Sequence, residues 1–397
     1  REGFRELRRR AIAAVGNASP LQLAFEVGVG FAPWLPPLDD GDDPDRERDQ
    51  LLSLLAVGIR GFNLFMTVER DRYYGAAIDK AGRLEPHAGW IRTLVAALGE
   101  IDWPSLRRAV AIAVVDARAD DRFGHASCAI DPMTPVVSEL LGLGPGGAAE
   151  LGGDPAAITQ RRWQAAIARA LDAARVPYTI VDESVGEDEL AGHPSLAAVI
   201  APTLDRIDRG LAHTLRALTE HPARVTGVHA ATSGHGESPP RRKRVVVVIG
   251  PGTPAHDELG QPLADAVPRR VGRLMAGSLD DIAGLATDLG TLAAGSPAIS
   301  DDAWELERPE GVQAYAHADA SGAVRVVFVA SDLAKPATAV LRVGGSAHTL
   351  RDPFRHERIA VDDGRASIAL PPRGVRMLVV EIDPDATPGP DPARGPG

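Results

Sequence analysis

The chain has 397 residues, long enough for about two to four domains. Its 43 Lys and Arg against 54 Asp and Glu give a formal charge of -11, which argues against generic nucleic-acid binding. One cysteine, Cys128, excludes an intrachain disulfide and a thiolate-rich metal site within these residues.

No stretch approaches the roughly 18 consecutive apolar residues of a membrane span, so no membrane partner is expected. The opening Arg1-Glu2-Gly3-Phe4 is neither an initiator methionine nor a signal peptide, and an upstream segment is expected. A cytoplasmic location is the default, with secretion left open. The 41 Gly and 32 Pro point to short side chains and rigid loops. Only residues 384–397 read as a disordered tail, because Pro, Gly and Asp there can bury nothing.

In chain order, residues 4–15 have a helical pattern that Asn17-Ala18-Ser19-Pro20 breaks before a strand over 21–25. A Pro- and Asp-rich loop leads to a helix over 46–58, whose Leu51, Leu52, Leu54, Leu55 and Val57 form an apolar face. Gly58 and Gly61 bracket its exit into a strand over 62–68, and a helix over 89–98 directs Trp90, Ile91, Leu94, Val95 and Leu98 inward. This strand, crossover helix, parallel strand order fits the tail of an α/β barrel or the edge of an open sheet. About 100 residues cannot close a barrel that takes about 250.

A second block follows Asp102-Trp103-Pro104. Buried strands are expected over 109–115, 178–181, 196–201 and 245–249, with helices over 163–174 and 204–218. The spacing predicts a parallel, flavodoxin-like sheet. From about Gly311 the period becomes two, and six short strands (312–317, 324–329, 337–343, 357–361, 366–370 and 375–382) predict a small antiparallel β-sandwich.

Chemistry concentrates at Leu21-Gln22-Leu23-Ala24-Phe25-Glu26. A carboxylate at the carboxyl end of a rigid strand suits a glycosidase nucleophile, with Gly28 and Gly30 permitting a turn and Trp34 offering a flat surface to a sugar ring. The competing reading makes Glu26 the first solvent-facing residue after a buried strand. Glu69, at the end of the next run, has a similar case, since neighbouring strands lie about 4.8 Å apart and retaining hydrolysis needs carboxyl groups roughly 5 to 5.5 Å apart. Asn63 reads as a structural amide. Tyr73 and Tyr74 belong to a polar aromatic loop able to bond hydroxyls.

Glu26 with Trp34, then Gly58 through Gly61-Phe62-Asn63-Leu64-Phe65-Met66, then Tyr73-Tyr74-Gly75-Ala76-Ala77-Ile78-Asp79 with Gly82-Arg83-Leu84, resembles the last third of the catalytic TIM barrel in β-galactosidase families. The similarity covers about residues 20–100, and a weaker likeness to the bacterial branch extends over nearly the whole chain. It implies an α/β protein with the C-terminal part of a (β/α)8 barrel over 1–104, an amidotransferase-like α/β domain over 105–307 and an antiparallel β domain over 308–383. It further implies retaining hydrolysis of terminal β-galactosides without a cofactor, Glu26 as nucleophile, and Trp34, Glu69, Tyr73 and Tyr74 around a galactoside or oligosaccharide. The family's acid/base glutamate would precede Arg1, so these residues alone would be inactive. Arg70 is an expected ion partner of Glu69, keeping it ionised when a proton donor must be protonated. The middle domain, in this resemblance, is structural and often assembles trimers, so a homo-oligomer is expected.

Other motifs carry less. Cys128 lacks the tight turn of a nucleophilic cysteine, and the histidines lack the spacing of a zinc site. Gly250-Pro251-Gly252-Thr253-Pro254 reads as a turn rather than an anion cradle. Arg241-Arg242-Lys243-Arg244 reads as a solvated loop. Two other functions compete with the hydrolase: a noncatalytic carbohydrate-binding or assembly protein with a degenerate barrel, and an unrelated flavodoxin-like binding protein.

Overall fold

A computed structural model of the chain describes residues 5–15, 22–28, 44–71, 75–123, 155–191, 196–220, 245–263, 305–308, 311–344 and 347–382. The expected tail over 384–397 lies outside them. The protein is a mixed α/β structure with several sheets.

The first segment runs α1 (Arg5–Val15), β1 (Leu23–Gly28), α2 (Pro44–Ala56), β2 (Gly61–Phe65), α3 (Gly89–Glu100) and β3 (Arg107–Arg108). Strands β1 and β2 are parallel neighbours joined through α2, whose Leu51, Leu52, Leu55 and Ala56 are fully buried. Strand β2 is shorter than its apolar run, because Thr67 Oγ1 donates to Leu64 O at 2.9 Å and turns the chain. On α3, Leu94 and Ala97 are buried. Val95 is 57% exposed, against the inward position expected for it.

The middle segment contains β4 (Ile112–Asp116), α4 (Pro155–Ala173), β5 (Tyr178–Asp182), α5 (Glu187–Ala191), β6 (Ala198–Thr203), β7 (Arg206–Ile207), α6 (Arg209–Glu220), β8 (Val246–Pro251) and β9 (His256–Asp257). Its main sheet is parallel, in the order β5-β4-β6-β8. In chain order that is 2-1-3-4, the arrangement with which flavodoxin-like sheets begin. Residues 112–115 have no exposed surface, as a strand covered on both faces requires. Helix α6 starts later than its apolar pattern suggests because Asp208 caps it, its Oδ1 accepting from Leu211 N–H at 3.1 Å.

The last segment holds β10 (Glu305–Arg308), β11 (Val312–Ala318), β12 (Val324–Ser331), β13 (Ala337–Arg342), β14 (Ala347–Asp352), β15 (Glu357–Ala360), β16 (Arg365–Leu370) and β17 (Val375–Ile382). An antiparallel sheet, β15-β14-β17-β12-β11-β3, and a smaller one, β10-β13-β16, share one apolar core that includes Val327, Leu350 and Leu378 from the first and Leu341, Ile368 and Leu370 from the second. Strands β10 and β14 were not expected from the sequence. Strand β14 carries Asp352, which pairs at 2.7 Å with a fully buried Arg376.

Residue contacts divide the chain into two compact units, one of Arg1–Val15, Ser19–Ala109 and Ser300–Gly397, the other centred on Val110–Ile299. Within the first, the parallel pair and the antiparallel sheets are bound into one body. Strand β3 completes the larger sheet by pairing with β11, and α2 packs against β12 and β17. Arg8 of α1 is 1% exposed; it donates to Tyr315 Oη at 3.1 Å and pairs with Asp332 at 2.7 Å. Trp103, His317 and Phe328 form an aromatic cluster in which His317 Nε2 donates to Ala56 O at 2.9 Å. Burial pushes His317 down to about 3, so the ring is neutral at physiological pH.

Asp49 of α2 is a buried carboxyl in this unit. It accepts from Arg48 at 3.1 Å and from Val375 N–H at 3.3 Å, yet burial pushes its carboxyl up to about 7 from 3.8. Between those two values the folded protein keeps a proton that the unfolded chain has released, so stability falls as pH rises through that window. Asp49→Asn, which mimics the protonated group, is expected to melt above the parent at pH 8 and with it near pH 4; an equal or lower melting temperature at pH 8 would contradict this. Arg8→Met removes a fully buried guanidinium and leaves the partly buried Asp332 without that partner, and should cost about 3 kcal/mol in urea unfolding, whereas a loss within 1 kcal/mol, at the level of an exposed ion pair, would show the contact to be peripheral.

Candidate active site

Glu26 is the fourth residue of β1 and is exposed. The register explains its direction. Ala24 pairs with Phe62 and Val27 with Leu64, so Phe25 and Glu26 together stand opposite the single residue Asn63. This is a β-bulge, a feature that re-aims side chains near functional sites. Val27 is 2% exposed, and its partner Leu64 packs with Ala77, Ala88, Ile78 and Ile91. Successive strand residues point to opposite faces, so Glu26 and Asn63 project from the other face, where both are exposed. At the base of the pair the Leu23 side chain lies over Gly61, and a Cβ there would require its Cδ2 to move aside.

Glu69 is half-buried and lies four residues past the end of β2, in the segment that follows it. Its N–H donates to Ile78 O at 2.8 Å and Ile78 N–H donates to Thr67 O at 2.9 Å. The strand-end position that the sequence suggested for Glu69 is therefore not the observed one, because β2 turns at Met66 and Thr67. Nor does Glu69 pair with Arg70 among the described residues; the Arg70 guanidinium lies 6.0 Å from the centre of the Phe65 ring. Trp34, Tyr73 and Tyr74 lie outside the described residues. Beyond them, Asp79 organises the loop: its Oδ1 accepts from Ala81 N–H and Arg83 N–H, both at 2.8 Å, and Oδ2 pairs with Arg83 Nε at 2.9 Å. The bond from the Arg83 N–H is the main reason its carboxyl is held below the usual range.

In the middle unit the carboxyl ends of the strands hold charges that largely satisfy one another. Arg118 pairs with Asp182 at 2.5 Å, Arg122 with Glu183, and Arg209 with Asp257. The turn at Gly250–Gly252 closes on a neighbouring strand: Gly252 N–H donates to Thr203 O at 2.9 Å, and a Cβ there would meet Leu204 O at 2.2 Å. Cys128 and Arg241 to Arg244 lie outside the described residues. Among the described residues, no group of three or more His, Cys, Asp or Glu is placed to hold a metal ion, and no helix is long and apolar enough to cross a membrane.

No protein-family profile matches the chain, and no curated protein does. Solved structures do. Gan42B, a GH42 β-galactosidase, has 10% identity and a TM-score of 0.52, the match covering 95% of this chain and 56% of Gan42B. A catalytic mutant of Gan42B from G. stearothermophilus has 11% identity and a TM-score of 0.50, with 92% and 53% covered. The chain shares its fold with these enzymes. It spans about half of their length, and at such identity the likeness is one of fold.

The sequence pointed to Glu26 and set Asn63 aside. The missed signal is the pair of residues, Phe25 and Glu26, that breaks strict alternation before Val27. Asp79→Ala should speed hydrogen exchange at the Ala81 and Arg83 amides without changing exchange in β1; unchanged exchange at those amides would show that the loop holds its shape without the carboxylate.

Proposed function

We propose that this chain is the carboxyl-terminal part of a retaining β-galactosidase-like glycoside hydrolase, with Glu26 as its nucleophile. The observation that carries the proposal is an exposed carboxylate in a bulge near the carboxyl end of one of two parallel strands, in a chain whose fold matches β-galactosidases. On this reading β1 and β2 are two of the eight strands of a barrel over residues 1–104. Residues 105–307, apart from β3 and β10, form an amidotransferase-like domain that assembles a homo-oligomer such as a trimer, and residues 308–383, joined by those two strands, form the β-sandwich.

The Glu26 carboxylate attacks the anomeric carbon of a terminal β-galactoside while a second carboxyl group, about 5 to 5.5 Å away, protonates the departing oxygen. Water, deprotonated by that second group, then breaks the glycosyl ester and releases the sugar with its configuration retained. The second group belongs to barrel strands outside these 397 residues. Glu69 takes a binding role, with Trp34, Tyr73 and Tyr74 around the sugar. No cofactor enters these steps. A noncatalytic carbohydrate-binding role, in which the same rim holds a sugar without cleaving it, remains the second reading, favoured by the presence of only one carboxylate on the exposed face of β1 and β2.

The test uses the full open reading frame that contains this chain. Proton NMR of the first-formed product from an aryl β-galactoside should show β-galactose, and Glu26→Gln should lower kcat by about 10⁴-fold or more, as loss of a nucleophile does. First-formed α-galactose, or unchanged turnover in Glu26→Gln, would refute the assignment; galactoside binding without turnover would favour the second reading.

A further inference from the structure

We infer that Asn63 is a sugar-contacting, specificity-determining residue of the same site, its amide bonding a hydroxyl of the galactose ring that Glu26 attacks. The inference rests on the proposed function and goes beyond it, since neither the fold likeness nor the carboxylate chemistry assigns a role to the amide.

Three observations converge. The bulge sets Asn63 directly across from Phe25 and Glu26, at the strand spacing of about 4.8 Å. The burial of Val27 and the packing of Leu64 fix the direction of the residues before them, so the amide and the carboxylate share a face. Asn63 is exposed and its amide makes no hydrogen bond among the described residues. An asparagine in the middle of a strand is disfavoured there and ordinarily compensates by bonding backbone or a neighbour. This one leaves two donors and an acceptor directed to the face that carries the carboxylate. Strand β2 itself bears no charged residue from Gly61 to Phe65, so Asn63 is its polar group on this face. A neutral amide suits sugar hydroxyls, which both donate and accept, and it does so without placing a second charge beside Glu26.

The experiment is a hydroxyl-deletion cycle on the full open reading frame. Parent and Asn63→Ala are assayed for kcat/KM on an aryl β-galactoside and on its 2-, 3-, 4- and 6-deoxy analogues. On the intact galactoside the variant should lose roughly tenfold, the worth of one hydrogen bond. On one deoxy sugar the loss should vanish, because the bond is already gone. Asn63→Gln, which keeps the amide, should recover part of the loss. A structural role predicts the same loss on every sugar, and that result, or no loss at all, overturns the inference while leaving Glu26 untouched. A parent that turns over no galactoside overturns the inference together with the function on which it rests.

Discussion

Helix α2 is the constraint on which the first unit depends. It packs on β1, closing the parallel pair, and on β12 and β17 of the larger antiparallel sheet, so the strands that carry Glu26 and Asn63 are held through it. Two parallel strands have too little surface of their own to be stable. The fully buried Leu51, Leu52 and Leu55, at about 1.5 to 3 kcal/mol each for complete burial of such a side chain, hold α2 in the unit, and α2 in turn packs on β1. The same helix takes the penalty of Asp49. A buried carboxylate against the start of β17 restrains the angle at which α2 meets the sheet, and it does so at a cost in stability near neutral pH.

The ends of that joint are tied by polar contacts that span the sequence. Arg60, just after α2, donates to Gln22 Oε1 at 3.3 Å, before β1, and to Leu106 O at 2.6 Å, before β3. Trp103 Nε1 donates to Ile59 O at 3.1 Å, beneath the ring of His317. The chain thus fixes the amino ends of β1 and β2 to the body of the unit. Their carboxyl ends, where the bulge and the Asp79 loop lie, keep an exposed face. A rigid base under an accessible rim is what the proposed site needs to hold its side chains in place.

Much of this was legible from periodicity. The crossover of β1, α2 and β2, the parallel run of β4, β6 and β8, and the change to period two near Gly311 follow from how apolar residues repeat, and burial on one or both faces dictates that repeat. Features that were not legible depend on partners distant in sequence. Nothing in the local pattern marks Arg8 or Asp49 for burial, and contacts with Tyr315 and Asp332 for the first and Val375 for the second, all more than 300 residues away, enclose them. Strand β14 was missed because Ala347-His348-Thr349-Leu350-Arg351-Asp352 is half polar, its charges being taken up by Glu381 and Arg376 of its neighbour. Asn63 was set aside because the direction of a side chain on β2 depends on the register with β1, and the bulge shifts that register. Val95 shows the converse: an apolar residue at helical spacing is not thereby buried.

The central claim is that Glu26 forms the covalent bond to the sugar, and peptide mapping by mass spectrometry tests it most directly. The full-length protein is incubated with a 2-deoxy-2-fluoro-β-galactoside bearing a good leaving group, digested with pepsin and sequenced. The account predicts one added fluorogalactosyl group on the peptide that contains Leu23-Ala24-Phe25-Glu26, borne by Glu26. A stoichiometric adduct on any other residue, Glu69 included, would contradict it.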